Sequence, residues 1–265
     1  MDTNTKIVDL EKVVIKFAGD SGDGMQLTGT QFTDTSALLG NDLATFPDYP
    51  AEIRAPQGTV AGVSGFQIHI GRIDINTPGD IADVLVAMNP AALKVNIKEV
   101  IPGGLIILDS SSFNDRGIKK AGYMENPLEN NSLSGLQLIS ADISNLTIKA
   151  IKEFRLGNKD GLRCRNMWTL GLILWLFNKD TKETITWLKN KFGKDNFLTK
   201  ANVAALNAGH KYAENTEISS DIIRKVVPKV KPVEGKWKAI TGAESLAFGL
   251  AVGALKANLK MTLCS

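Results

Sequence analysis

Lys12-Val13-Val14-Ile15-Lys16-Phe17-Ala18-Gly19-Asp20-Ser21-Gly22-Asp23-Gly24-Met25-Gln26-Leu27 is the stretch on which the fold turns. Its first seven residues are apolar and β-branched around two lysines, the composition of a strand. The run passes straight into a turn with glycine at 19, 22 and 24, and a helical stretch follows from Met25 to Leu39. A glycine turn between strand and helix aims backbone amides and a helix N-terminus at an anion, either a phosphate or a carboxylate. The spacing is neither the GxGxxG of dinucleotide sites nor a Walker loop with its Lys-Ser or Lys-Thr. Asp20 and Asp23 would repel a pyrophosphate unless a cation intervened. Gly19, Asp20, Ser21, Gly22, Asp23 and Gly24 therefore stand as a candidate anion-binding turn, with a merely tight strand-to-helix connection as the plain alternative.

The same order recurs downstream. Val60–Ile70 reads as a strand carrying Gly62 and Gly65, and Asp83–Ala87 as a strand feeding Asn89-Pro90, an N-cap followed by proline at the first helical position. Pro102-Gly103-Gly104 turns into the strand Leu105–Leu108, and Leu136–Ile139 precedes a helix over Ile143–Phe154. Alternating strands and helices predict an α/β fold: a Rossmann-like, mostly parallel sheet with flanking helices. Helical spacing over Met167–Phe177, Thr181–Phe192 and Leu198–Tyr212 predicts a C-terminal helical coda packed on that sheet. Lys159–Asn166 reads as a solvated loop with Asn166 as a cap. Trp168 and Trp175 read as core or interface residues on one helix face, and His69 as a half-buried histidine satisfied by backbone.

Beyond the coda, residues 214–238 turn polar, with Pro228 and Pro232 in a basic run, and read as a linker. Thr241-Gly242-Ala243-Glu244 has the form of a capping box. It opens a helix whose stretch Leu246–Leu255 is apolar or glycine on every face, so burial on all sides is expected. Asn258 reads as its C-cap and Leu259–Leu263 as the start of a strand. The expected organisation is a first domain over 1–213, a linker over 214–238, and over 239–265 the start of a second α/β domain whose remainder lies outside this stretch.

Composition narrows the function classes. The chain has 265 residues, 43% hydrophobic and 22% charged, with a formal net charge of +3, too small for a grip on nucleic acid or anionic lipid. Its longest apolar stretch falls short of the roughly 20 residues that cross a bilayer, and the polar start is no signal peptide, so no membrane and a cytoplasmic location are expected. Cys164 and Cys264 cannot ligate a four-thiolate cluster, and His69 and His210 are too isolated for zinc. Redox metal chemistry would come from a partner.

Phe46–Gly58 carries Pro47, Pro50 and Pro56, which stiffen a loop without making it regular. Arg54 in that loop is a candidate clamp for a carboxylate or phosphate, or a surface partner of Glu52 or Asp48. No Ser-His-Asp or Cys-His arrangement is evident, so no catalytic residue is assigned.

Lys16–Gln26 followed by Phe46–Thr59 resembles the N-terminal gamma domain of 2-oxoacid:ferredoxin oxidoreductase alpha subunits, the 2-oxoglutarate type above all. The resemblance continues through Asn166-Met167 and the coda. It resumes at Lys238–Glu244, which is similar to the opening of the pyrimidine-binding domain of thiamine-diphosphate enzymes. It implies conversion of 2-oxoglutarate, coenzyme A and oxidised ferredoxin into succinyl-CoA, CO2 and reduced ferredoxin. It further implies a beta subunit that carries the diphosphate and Mg2+ end of thiamine diphosphate together with the iron-sulfur cluster, with ferredoxin reached through the complex.

In the family a Tyr-Pro-Ile-Thr-Pro motif follows the segment that here reads Met261-Thr262-Leu263-Cys264-Ser265. This stretch is therefore expected to bind no cofactor or metal and to be inactive alone. Ala243 stands where many relatives carry Asn, and Glu244 reads as a helix cap and not as the glutamate that activates the cofactor. Only the Gly19–Gly24 turn and Arg54 carry over as candidate contacts. A related specificity (pyruvate, branched-chain or indole 2-oxoacids) stays open, as do a noncatalytic assembly module docking its apolar helix on a partner and, last, a nicotinamide-binding Rossmann protein.

Overall fold

β2 (Lys12–Asp20) is buried from Val13 to Gly19 without alternation, because both faces of its sheet are covered. The structure, a computed structural model, describes residues 7–52, 54–72, 74–215, 224–226, 235 and 238–260. They divide into two units, Met1–Lys231 and Pro232–Ser265.

In the first unit α1 (Met25–Leu38) follows β2, and β3 (Asp42–Asp48), β4 (Val63–Gly71) and β5 (Ala82–Ala87) come next. β5 leads through α2 (Pro90–Asn96) to β6 (Val100–Asp109), which leads through α3 (Asp115–Lys120) to β7 (Gln137–Ala141). The sheet order is β3-β4-β2-β5-β6-β7, with only β4 antiparallel to its neighbours. After β2 the chain crosses to one side of that strand, and after β5 to the other. β2 and β5 therefore flank the topological switch point, where the carboxyl ends of an open α/β sheet leave a crevice.

Alternate residues feed two cores. Val13, Ile15, Phe17, Val84, Val86, Leu105 and Ile107 pack against α1 and the coda. Ala18, Leu85, Ala87, Ile106 and Leu108 pack on the opposite face against Leu93 and Ile118 of α2 and α3. Lys16 points to that second face and is tolerated there because Glu99 lies 2.6 Å from its Nζ. The coda comprises α4 (Ile143–Ala150), α5 (Asn158–Arg163), α6 (Arg165–Leu176), α7 (Lys182–Phe192) and α8 (Phe197–Asn215). Phe32 joins it to the sheet, its ring 6.2 Å from Phe17 and 5.6 Å from Phe177. Trp168 and Trp175 are buried core residues. Gly171 and Gly209 let α6 and α8 cross with backbones in contact, since a Cβ on Gly209 would overlap the Trp168 carbonyl.

Several expectations need correction. The strand expected from Val60 starts at Val63, after a 3-10 turn over Val60–Gly62. Phe46, Pro47 and Asp48 belong to β3 and not to an irregular loop; proline is accommodated there because β3 is an edge strand. β6 begins at Val100, so Pro102-Gly103-Gly104 lies within a strand. The helix expected over 143–154 stops at Ala150 and closes with a 3-10 turn over Lys152–Phe154. The loop expected over Lys159–Asn166 is helical: Asn166 sits inside α6, and Cys164, without a side-chain cap, occupies the N-cap. Within the expected linker, β8 (Arg224–Val226) pairs in parallel with β1 (Ile7–Asp9).

In the second unit α9 (Gly242–Lys256) opens on the anticipated capping box, with the Glu244 amide 3.2 Å from Thr241 Oγ1 and the Thr241 amide 2.8 Å from Glu244 Oε2. Asn258 takes a left-handed φ of 52° just past its end. The apolar side chains of α9 are exposed, Leu246 at 65% and Phe248 at 57%, and no other described element of that unit covers them, as for a helix whose expected burying partners lie outside this stretch. Residues 261–263 of the expected final strand lie outside the described residues.

Candidate functional site

The site is assembled at the carboxyl ends of β2, β5 and β6. After β2 the chain reverses through a turn closed twice over: the Asp23 amide donates to the Asp20 carbonyl at 2.8 Å, and the Asp20 amide donates to Asp23 Oδ2 at 2.9 Å. Gly24 ends the turn at φ 74°, a left-handed conformation, and a Cβ there would lie 2.5 Å from Asn166 Nδ2. Gly19 is equally constrained, since a Cβ would approach Asp23 Oδ2 to 2.9 Å. α1 therefore begins without a side-chain cap, which leaves its first-turn amides without an intrahelical partner. Beside it Asn89 caps α2, accepting from the Ala92 amide at 2.8 Å.

Arg165, at the start of α6, organises the acidic groups. Its Nη2 lies 2.6 Å from Asp23 Oδ1, and its Nη1 lies 3.5 Å from Asp109 Oδ2 and 3.1 Å from Ser144 Oγ. Asp109 ends β6 with no solvent exposure and also accepts from Ser111 Oγ at 2.7 Å and Ser144 Oγ at 2.6 Å. Burial pushes the Asp23 carboxyl up to about 6 against the attraction of Arg165, with Asp20 and Asp109 adding repulsion. Burial also raises Asp20, while the Gly58 amide, Asn89, Arg165 and Lys120 pull it back.

The proline loop docks onto the same turn. The Gly58 amide donates to Asp20 Oδ2 at 2.9 Å, and Lys120 Nζ holds the Gln57 carbonyl at 3.0 Å. Gln26 Nε2 fastens the other end of the loop to the Asp48 carbonyl at 3.1 Å. Arg54 is exposed and makes no ion pair among the described residues, so neither Glu52 nor Asp48 neutralises it. The candidates Gly19–Gly24 and the loop bearing Arg54 thus share one end of the sheet. Asp23 is spent on the turn and on Arg165.

Sequence reading missed Arg165, Asp109 and Ser144, and read Asn166 only as a cap. Asp109 closes a buried strand, which was a usable signal. Arg165 shares a helical face with the buried Thr169 and Leu172, whereas neighbouring Arg163 is exposed. His69 departs from the half-buried, satisfied histidine expected: it is buried, its Nδ1 lies 2.8 Å from the Thr77 carbonyl, and its Nε2 has no hydrogen-bond partner among the described residues.

Thiamine diphosphate with Mg2+, and an iron-sulfur cluster, need oxygen ligands about a cation and several thiolates. Among the described residues no group of three His, Cys, Asp or Glu side chains is placed to hold a metal ion. Cys164 is buried, with its thiol pushed up to about 11 by that burial. These residues do not fit the metal or the cluster.

A doubly covered open sheet with an uncapped glycine turn at its switch point defines an α/β protein of Rossmann-like build. Residues 14–212 match the family described as pyruvate ferredoxin/flavodoxin oxidoreductase, and the chain belongs to that family. It is 46% identical over 256 residues to 2-oxoglutarate oxidoreductase subunit KorA of Mycobacterium tuberculosis, a match covering 97% of this chain and 39% of the relative. The chain thus spans about two-fifths of that relative's length. In fold it is similar to a 2-oxoglutarate:ferredoxin oxidoreductase from Magnetococcus marinus solved with 2-oxoglutarate, coenzyme A and succinyl-CoA bound (TM-score 0.62, 20% identity, 97% of this chain and 44% of that one). It is also similar to the gamma subunit of a keto/oxoacid ferredoxin oxidoreductase from Geobacter sulfurreducens (TM-score 0.55, 16% identity, 77% and 98%). Pyruvate oxidoreductase subunit PORC from Thermotoga maritima shares the fold as well (TM-score 0.52, 16% identity, 76% and 97%). No helix among the described residues is long and apolar enough to cross a membrane.

Proposed function

We propose that this chain is the gamma-domain-bearing portion of the alpha subunit of a cytoplasmic 2-oxoglutarate:ferredoxin oxidoreductase. The assembled enzyme converts 2-oxoglutarate, coenzyme A and oxidised ferredoxin into succinyl-CoA, CO2 and reduced ferredoxin. Residues 1–213 form the gamma domain, 214–238 the linker, and 239–265 the opening of the pyrimidine-binding domain. The observation that carries this reading is the 46% identity to a 2-oxoglutarate oxidoreductase subunit over 97% of the chain, which leaves too few residues unmatched to omit α9. The whole length of a separate gamma subunit, matched by about three quarters of this chain, supports the domain boundary.

In this reading thiamine diphosphate supplies the carbanion chemistry when bound, and it, Mg2+ and the iron-sulfur cluster are held in the complex with the beta subunit. This chain contributes the amides of the Gly19–Gly24 turn and the Arg54 guanidinium, which take a phosphate or carboxylate of coenzyme A or the 2-oxoacid. Asp20 and Lys120 hold the Arg54 loop over that turn.

The test is steady-state reduction of methyl viologen by the native complex containing this chain, with several 2-oxoacids. Preference for 2-oxoglutarate is expected, and Arg54→Ala is expected to raise a KM roughly tenfold with kcat little changed, the loss of one charge-assisted contact. Oxidation of no 2-oxoacid overturns the activity; unchanged KM values in Arg54→Ala overturn the site alone. Turnover by the isolated chain refutes the division of labour between subunits.

A further inference from the structure

Away from the crevice, α4, α6 and α8 border a shallow, open surface groove of about 390 Å³. Leu146 and Ala150 form one wall and Ala208 another. Tyr212 adds a partly exposed aromatic ring, backed by the buried Trp168 with ring centroids 5.1 Å apart. Lys149 and Lys211 complete the lining; both are exposed, and neither pairs with a carboxylate among the described residues. An apolar hollow flanked by two unneutralised ammonium groups is complementary to a molecule with an apolar tail and an anionic head.

The surroundings decide between a small molecule and a protein. None of the large exposed apolar side chains described for the first unit lines the hollow, and those on α8, Phe197 and Leu198, are at its far end. Among the described residues the hollow is lined by seven side chains, a patch far smaller than the ~1,000 Å² that a stable protein interface buries. Its volume of about 390 Å³ is enough to seat a small ligand against an open face.

We propose that this groove is a binding site for a small carboxylate with an aromatic or aliphatic tail, the tail lying against Leu146, Ala208 and Tyr212 and the carboxylate between Lys149 and Lys211. The site is separate from the β2/β5 crevice, so it stands whichever 2-oxoacid the enzyme uses.

The probe is 4-phenylbutyrate, titrated calorimetrically into the purified 265-residue chain at low ionic strength, with 4-phenylbutan-1-ol as its uncharged counterpart. Saturable 1:1 binding with Kd on the order of 1 mM is expected for a ligand of this size. The alcohol is expected to bind roughly tenfold more weakly, as is the acid to Lys149→Glu/Lys211→Glu, whose exposed positions leave the core intact. Ala208→Leu, checked for folding by its thermal melt, fills the groove and is expected to abolish binding. Equal affinity for acid and alcohol, binding that survives Ala208→Leu, or no saturable binding up to about 20 mM overturns the proposal.

Discussion

Arg165→Met removes the guanidinium that faces Asp23 and Asp109 while keeping most of the apolar stem that packs at the start of α6. That guanidinium lies 2.6 Å from Asp23, 3.5 Å from Asp109 and 3.1 Å from Ser144, on a side chain only 18% exposed. Removing one partner of a largely buried pair costs about 3–5 kcal/mol, chiefly because the remaining charge is stranded. With Asp109 retaining its Ser111 and Ser144 hydroxyls, the lower end applies, about 3 kcal/mol at pH 7.5. In a domain of this size that lowers Tm by about 6–12 °C.

The pH dependence carries the sharper test. The folded-state pKa of Asp23, about 6, lies above its ordinary 3.8. The carboxyl therefore stabilises the fold fully below the ordinary value, and that contribution is lost as pH rises through 6. Without Arg165 the carboxyl rises further, so the variant loses stability more steeply than the parent and the gap between them widens from pH 5 to pH 8. Urea melts across that range measure the gap. Asp23→Asn in the same background should recover part of it at pH 8, because the stranded charge is gone. A loss under about 1 kcal/mol at pH 7.5, or a gap that does not change with pH, refutes the reasoning.

Two backbone substitutions test the architecture around the same crevice. Gly24→Ala puts a side chain into a left-handed position against Asn166 and should cost about 1–2 kcal/mol from the conformation alone, read as a lowered urea midpoint with unchanged slope. Gly209→Ala drives a methyl group into the Trp168 carbonyl and forces α8 off α6, so loss of cooperative thermal unfolding is expected, and an unchanged melt would show that the two helices do not pack as described.

What was legible in the sequence follows from how far each signal acts along the chain. β2, the glycine turn, α1 and the Asn89-Pro90 cap are local: the residues that make each feature lie within one turn or strand of each other, and they stood where their composition put them. β3 was missed because its strand character is conferred by pairing with β4, while Pro47 argues locally against a strand and is accommodated only because β3 lies at the sheet edge. α9 was located by its capping box, and its all-round apolar composition called for a surface that no described element of its unit supplies.

The crevice itself was half legible for the same reason. Two aspartates in a turn proposed to receive an anion look contradictory in sequence, and the nearby Lys16 does not offset them because it points to the other face and pairs with Glu99. The offsetting groups come from far along the chain: the Gly58 amide for Asp20, 38 positions away, and Arg165 for Asp23, 142 positions away. Once these are in place, Asp23 is a strut between the turn and α6, and Asp20 is the tether of the Arg54 loop. The carboxylates then shape the turn while the first-turn amides of α1 and the unpaired Arg54 remain to meet the proposed anion. Electrostatic compatibility at this site therefore depends on the coda closing over the sheet, which makes Arg165 the residue whose removal should couple stability and ligand binding most tightly.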